Sequence, residues 1–541
     1  MEDYSELPSY KKLLEHFENI GKKIDLCKEF SEDSDRQATF CRKKEFEAMS
    51  GNTAKIIFDF SKNLINKETF SLLLEFAEEV KLLEYDFMDE SKLNISIISE
   101  NMKKFSEDIR NQNLKSVFES VFSTIVIIGI KSSNANIEIV SKAFSNIGSN
   151  IILHFVSNTE GSTIEDILQK IDFKTTLFII SCKNFTDRDT MLNAEAAKNF
   201  IKSHFPNNQI YHSNQYIHLD SYMQSNFVAI SNNIKLVKDF GISDSNIFDF
   251  CDWIDDGVCS FWTEMVLPMS IYMGFDNYYM FLEGCDSMDM HFRYTSIEDN
   301  MPAIMALLDF WYETFWSART FPIITYDQRL IIFANYFQNI DTESKKNISI
   351  SGGFDLEHQL GPSIWNDSKD NNRCMLYQLI NQGKKVIPCD LIAVVKKQKS
   401  DSNILRDKLA LSNFFALSEA LMEGSNHYKT FSPVILKNSS KVDSQAENIN
   451  VNKSYAGNKP SSSIMIASDI NPYSLGLLVA LYEHRKRIRD ILDIDSTLNI
   501  QDIKLLKHLA KNILTELNED DKVDSHNEST NELINFYKDN S

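Results

Sequence analysis

Along this chain, short β-branched runs alternate with longer segments of helical period, the pattern of βαβ units on a parallel sheet. A first series of runs comprises Ile125–Ile130 (IVIIGI), Ile151–Val156 (IILHFV), Leu177–Ser181 (LFIIS) and Phe227–Ser231 (FVAIS). Helical stretches fall between them, such as Asn193–Phe205, in which Ala196, Phe200 and Ile201 are placed to face a sheet. A weaker series follows at Ile348–Ser351, Val386–Val395 and Ile464–Ala467, with long helices predicted at Ala303–Trp316 and Lys408–Glu423. The pattern predicts an α/β protein of two sheet-centred units. The polar stretches Lys399–Asn403 and Lys437–Ser463 read as surface loops. The tail from Asn518 starts acidic and then offers Leu533, Ile534, Phe536 and Tyr537, as expected of an arm that docks on its own core or on a partner subunit.

The predicted strand ends carry the first chemical hint. Ile130 runs into Lys-Ser-Ser-Asn, Val156 into Ser-Asn-Thr-Glu-Gly-Ser-Thr, and Ser181 into Cys-Lys-Asn-Phe-Thr. Hydroxyls and backbone N–H groups at such turns can hold a phosphate against a helix N-terminus, and open parallel sheets bind ligands at the carboxyl ends of their strands. The same residue types are also ordinary helix N-caps.

Composition narrows the function classes. With 541 residues, 43% of them hydrophobic, the chain has the apolar content for large cores and is not a disordered polymer. Its 56 Lys+Arg against 77 Asp+Glu give a net charge of -21, which argues against a nucleic-acid partner and opposes the approach of any anionic substrate. No apolar run approaches the ~20 residues that cross a bilayer, and the N-terminus lacks a basic start followed by an apolar core. A soluble chain without a membrane partner is expected. Eight cysteines without a Cys-x-x-Cys pair and eleven dispersed histidines argue against a zinc site or a disulfide framework, and make a reducing cytoplasm the expected location.

Several segments, in order, resemble the glucose-6-phosphate isomerase family. They include Phe58–Asn63 (FDFSKN), His154–Thr163 (HFVSNTEGST), Leu192–Lys198 (LNAEAAK), Gly274–Phe292 (GFDNYYMFLEGCDSMDMHF), Tyr336–Ser344 (YFQNIDTES), Gly361–Trp365 (GPSIW), Tyr377–Asp390 (YQLINQGKKVIPCD), Leu411–Gly424 (LSNFFALSEALMEG) and Ser525–Lys538 (SHNESTNELINFYK). The resemblance implies two doubly wound, parallel-sheet domains of the sugar-isomerase (SIS) type, with surrounding helices and a C-terminal helical arm, usually assembled as a homodimer. The expected division is an N-terminal helical part (1–105) packing on the large domain, a first, smaller SIS domain (106–265), a second, larger one (266–500), and a C-terminal helix and arm (501–541).

For activity, the resemblance implies interconversion of glucose 6-phosphate and fructose 6-phosphate, in glycolysis and gluconeogenesis, through a cis-enediol and without metal or organic cofactor. A carboxylate moving a proton between C2 and C1 is required, and the matching residue is Glu343. Asn339 stands where the family usually has Gln, and Lys507 matches a family lysine thought to assist at the ring oxygen. Phosphosugar-binding positions implied in the same way are Ser132, Ser133, Cys182, Lys183, Asn184, Thr186 and Thr190.

The departures from the family pattern are as informative. Cys374 takes the place of the ring-opening histidine, and a thiol of pKa ~8.5 is a poor substitute near neutral pH, though Arg373 is placed to lower it. Val258 replaces the arginine that would stabilise the enediolate, a loss of ~3–4 kcal/mol in the transition state for a donor of this kind. Lys131 and Ser132 replace two cradle glycines, and Asp187 replaces a threonine. An inward-facing Asp187 would repel a phosphate by about 4 kcal/mol at ~4 Å and an effective dielectric of ~20. Three readings follow: an isomerase of weakened activity, a non-catalytic member that binds a sugar phosphate or serves a structural role, and a site for another sugar or amino-sugar phosphate with Lys131 and Arg373 as anion contacts.

Overall fold

In the computed structural model, the residues described are 4–83, 100–129, 131–145, 148, 150–158, 160–249, 261, 263–344, 363–365, 377–381, 383, 385–395, 401–424, 457–492, 500–519 and 521–540. The N-terminal part contains the expected helices, among them α1 (Pro8–Asn19) and α2 (Lys67–Glu79), which pack together. It is not wholly helical, however. Between these helices, β1 (Cys41–Glu47) and β2 (Thr53–Asp59) form an antiparallel hairpin. The reason is local: TAKIIFD has period two and buries Ala54, Ile56 and Phe58 on one face.

The first α/β unit is an all-parallel sheet of β3 (Thr124–Gly129), β4 (Ile152–Val156), β5 (Thr176–Ser181), β8 (Phe227–Ile230) and β9 (Ile247–Phe248), in the order β4-β3-β5-β8-β9. A separate hairpin, β6 (Gln209–His212) with β7 (Gln215–His218), lies between β5 and β8 in sequence. β3 is an unbroken apolar run because both its faces are covered. Ile125 and Ile127 enter the main core, whereas Val126 and Ile128 enter a second cluster beneath α4 (Arg188–Ser203). α4 follows β5 after a short loop; its buried stripe is Thr190, Asn193, Ala194, Ala197 and Ile201. Ile201 therefore faces the sheet as expected, while Ala196 and Phe200 are half-buried at the margin of that face.

The second unit holds β10 (Thr320–Thr325), β11 (Ser363–Trp365), β12 (Cys389–Val394) and β13 (Ser461–Ile466), mutually parallel, and its sheet runs β1-β2-β13-β12-β10-β11. β2 joins antiparallel to β13, so this sheet is mixed. The run Ser461–Ser463, read from sequence as the end of a loop, begins β13 instead. Flanked by β12 and β2, its backbone groups are paired on both sides, which lets the serines be buried. Asp401, Ser402 and Asn403, also read as loop, open a helix that runs to Glu423. The predicted strand Ile348–Ser351 lies outside the described residues.

One apolar core joins the two units, since Ile125, Ile127 and Ile179 share it with Ile323, Ile392 and Ile464. At its centre, helices α5 (Phe275–Tyr294) and α6 (Met301–Thr314) pack on the later helix Pro472–Leu492. A Cβ on Gly284 would lie 2.0 Å from the carbonyl oxygen of Tyr473, and one on Gly476 2.0 Å from that of Phe281, so this crossing exists only with glycine at both positions. Among the described residues, no helix is long and apolar enough to cross a membrane.

Candidate active site

The carboxyl ends of β3 and β5 lie side by side, with Gly129 paired in register with Ser181. Helix α3 (Lys131–Ala143) starts immediately after β3 and carries Lys131, Ser132 and Ser133 in its first turn, their side chains lying outside the described residues. In that turn Asn134 is 1% exposed, and neither atom of its amide has a hydrogen-bond partner among the described residues; the buried hydroxyl of Ser181 has none among them either. A Cβ on Gly129 would sit 3.3 Å from Ser181 Cβ and 3.7 Å from Asn134 Oδ1, so glycine lets the strand end close against both. Neither Asn134 nor Ser181 stood out in the sequence; the one available signal was polar residues directly following two apolar strands.

The loop from β5 to α4 is a tight turn with Phe185 at φ 55°. Cys182 is buried, and burial pushes its thiol up, against the opposing pull of the backbone N–H groups of Asp187, Thr186 and Phe185. The Lys183 carbonyl accepts from the Asn232 backbone N–H (2.9 Å) and the Ser231 hydroxyl (3.0 Å), tying the loop to the segment after β8. Asn184 and Thr186 are exposed. Asp187 is the N-cap of α4: its Oδ2 accepts from the Thr190 backbone N–H at 3.0 Å and from the Thr190 hydroxyl at 2.7 Å. The Asp187 carboxylate is thus directed at the helix N-terminus, where orphan N–H groups and the helix dipole favour negative charge.

The proton-transfer candidate lies in the second unit, on α7 (Phe333–Ser344). Asn339 is half-buried there, and Glu343 occupies the last turn, its side chain outside the described residues. α7 packs against α3, which brings the helix that follows β3 and the helix that carries Glu343 into contact across the two units. Cys374, Arg373 and Val258 lie outside the described residues. Lys507 is on α8 (Ile500–Leu517), its side chain also outside them; this helix exposes Leu505, Leu506 and Leu509. A final helix, α9 (Glu528–Asn540), folds back on α8: Glu516 Oε2 lies 2.7 Å from His526 Nε2, and the Glu516 carbonyl accepts from Lys538 Nζ at 2.8 Å.

Behind α7, the helix Pro472–Leu492 buries Arg485, Lys486 and Arg489. Arg485 reaches Asp309 of α6 with Nε and Nη2, both at 2.6 Å, and Asp390 of β12 with Nη1. Burial opposes the guanidinium charge, but the two carboxylates outweigh it and hold Arg485 protonated. Burial raises Asp390, partly countered by Arg485. Arg489 Nη2 donates to Glu313 at 2.5 Å.

The family profile described as phosphoglucose isomerase matches residues 88–534. The glucose-6-phosphate isomerase of Kluyveromyces lactis is 32% identical over 99% of this chain and 97% of its own length. Among solved structures, a glucose-6-phosphate isomerase from Chlamydia trachomatis superposes with a TM-score of 0.73 at 19% identity, covering 99% of each chain. A hypothetical protein from Thermus thermophilus gives a TM-score of 0.57 at 14% identity over 83% of this chain and 96% of its own. The two structures share the fold; the profile and the yeast relative show that this chain belongs to the phosphoglucose isomerase family.

Proposed function

We propose that this chain interconverts glucose 6-phosphate and fructose 6-phosphate, with a turnover below that of typical members of its family. The observation that carries this reading is the packing of α3 on α7, which sets the anion-suited strand ends of the first unit beside the helix bearing Glu343. Ser132, Ser133, Lys183, Asn184 and Thr186 supply donors for the phosphosugar, while Thr190, whose hydroxyl and N–H go to Asp187, braces the loop that presents them. Glu343 removes the proton from C2 and returns it to C1, while the C1 and C2 oxygens exchange roles through the enediol; the step conserves oxidation state within one molecule and needs no metal or organic cofactor. Asn339, one turn earlier on α7, serves the same edge of the sugar, and Lys507 assists at the ring oxygen. Ring opening falls to Cys374, a weaker proton shuttle than imidazole at neutral pH, and Val258 leaves the enediolate without a guanidinium, which alone predicts ~10²–10³ in rate.

The expected result of a coupled assay is measurable turnover that Glu343→Gln lowers by ~10²–10⁴. Turnover equal to that of the yeast relative, or indifferent to Glu343→Gln, would overturn the reading. The identities of Cys374 and Val258 favour a second reading, a sugar-phosphate-binding member without catalysis. Thermal-shift titration separates the two: stabilisation by a five-carbon aldonate phosphate that mimics the enediol, with no turnover at any enzyme concentration, selects the second.

The reading extends to assembly and place. The apolar positions Leu533, Phe536 and Tyr537 of α9 and Leu505, Leu506 and Leu509 of α8 are exposed, and we propose that they cover a second copy of the chain in a homodimer working in the cytoplasm. Sedimentation should give a dimer, and deletion of residues 521–541 should convert it to monomer.

A further inference from the structure

We propose that Asp341 is a positioning residue: clamped by Lys486 and Arg489, it fixes the last turn of α7 and keeps Glu343 a competent base. The proposal rests on the reading of Glu343 given above. Asp341 is 6% exposed, and its Oδ1 lies 3.4 Å from Arg489 Nη1 and 3.8 Å from Lys486 Nζ. Arg489 is itself held, with Nη2 on Glu313 at 2.5 Å and Nε 3.5 Å from Asp309, both on α6. One turn earlier the Tyr336 hydroxyl donates to Glu483 Oε1 at 2.7 Å, so α7 is fastened to the helix Pro472–Leu492 at two successive turns.

Two consequences follow for the residues just beyond the clamp. The last turn of a helix has carbonyls without intrahelical partners and frays unless tied down. Here residues 342–344 follow directly on a carboxylate that accepts from Arg489 Nη1 at 3.4 Å and is ion-paired to Lys486 at 3.8 Å. The second consequence is electrostatic. Around Asp341 stand Lys486, Arg489 and Glu483 of one helix, with Asp490 of that helix paired to Lys486, and Asp309 and Glu313 of α6. Neutralising Asp341 removes one negative charge from this cluster, so the local potential becomes more positive and a carboxylate two residues away becomes a weaker base.

The test compares Asp341→Asn and the charge-balanced double variant Asp341→Asn/Lys486→Met with the unmodified chain. The double variant removes one charge of each sign and guards against a single variant that fails to fold. Hydrogen exchange of the backbone amides at 340–344 should accelerate about tenfold or more in both. With fructose 6-phosphate, kcat should fall about 10–100-fold at unchanged KM. The acid limb of kcat should shift to lower pH in Asp341→Asn and stay in place in the double variant. A lowered Tm with kcat, KM, acid limb and exchange all as in the unmodified chain overturns the proposal. If the unmodified chain shows no turnover dependent on Glu343, the isomerase reading falls and the basicity role with it, and exchange alone decides the clamp: unchanged exchange at 340–344 overturns that as well.

Discussion

Two regions of this molecule bury polar side chains in opposite ways. In the helix Pro472–Leu492, the buried cations Arg485, Lys486 and Arg489 meet Asp309, Glu313, Asp341 and Asp390, each contributed by another element. At the carboxyl ends of β3 and β5, by contrast, Asn134 and Ser181 are buried with no partner for the amide or the hydroxyl among the described residues. A buried polar group without a partner costs about 1–3 kcal/mol of desolvation, so the second arrangement weakens the fold where the first is balanced. The paired region lies behind α7, and the unpaired one lies at the carboxyl ends of parallel strands, where such sheets present ligands.

The sharpest way to break this contrast is to unbalance the paired region. Arg485→Met removes the guanidinium that Asp309 and Asp390 share, leaving Asp390 buried without its cation, and should cost ~3–5 kcal/mol in denaturant unfolding. A cost below 1 kcal/mol would show that the network is not electrostatically coupled. The same helix tests steric tolerance: Gly476→Ala drives a methyl against the carbonyl of Phe281 and should cost ~1–3 kcal/mol or more, with a lowered Tm as the readout.

A third prediction concerns pH. His291 is buried and held down to about 3, by burial first and then by Lys44, whose Nζ lies 3.1 Å from Nδ1. Its folded pKa is below its unfolded value of 6.5, so the unfolded chain binds the extra proton and stability falls as pH drops below 6.5. By pH 5 the loss should reach ~2 kcal/mol, and His291→Gln should flatten that part of the stability profile. The smallest effect has the opposite sign. Asn134→Leu removes an unsatisfied group and should leave the free protein unchanged or gain ~1 kcal/mol, while weakening sugar-phosphate binding about tenfold or more. If binding is untouched, the unpaired region is only a packing flaw.

What could be read in the sequence follows from the range of the forces involved. β3 and β5 were legible because both faces of each strand are covered, which makes each a continuous apolar run. The role of Asp187 is local too, an Asp-x-x-Thr pattern at a helix start, but the sequence is equally compatible with a carboxylate facing the phosphate, and only the folded chain shows it turned to the cap. The buried serines of β13 and the braced face of the helix Pro472–Leu492 could not be read locally. The stretch Tyr482–Asp490 (YEHRKRIRD) looks like a solvated surface by composition; it is buried because Asp309 and Asp390 lie 176 and 95 residues away in sequence from Arg485. The isomerase resemblance could place Glu343 by its neighbours, but what holds the last turn of α7 depends on residues well over a hundred positions further along.

The position of β13 between β2 and β12 also sets a timetable. The five-stranded sheet is contiguous in sequence, from Thr124 to Phe248, and can close while the chain is still being made. β2, complete at Asp59, waits for a neighbour that begins at Ser461. At ~5–20 residues per second, that is a delay of roughly 20–80 s on the ribosome, during which the edge of β2 that meets β13 in the finished sheet lacks that neighbour. An unpaired edge strand is a template for pairing with another chain, so making β13 last leaves β2 open to edge-to-edge association over that interval.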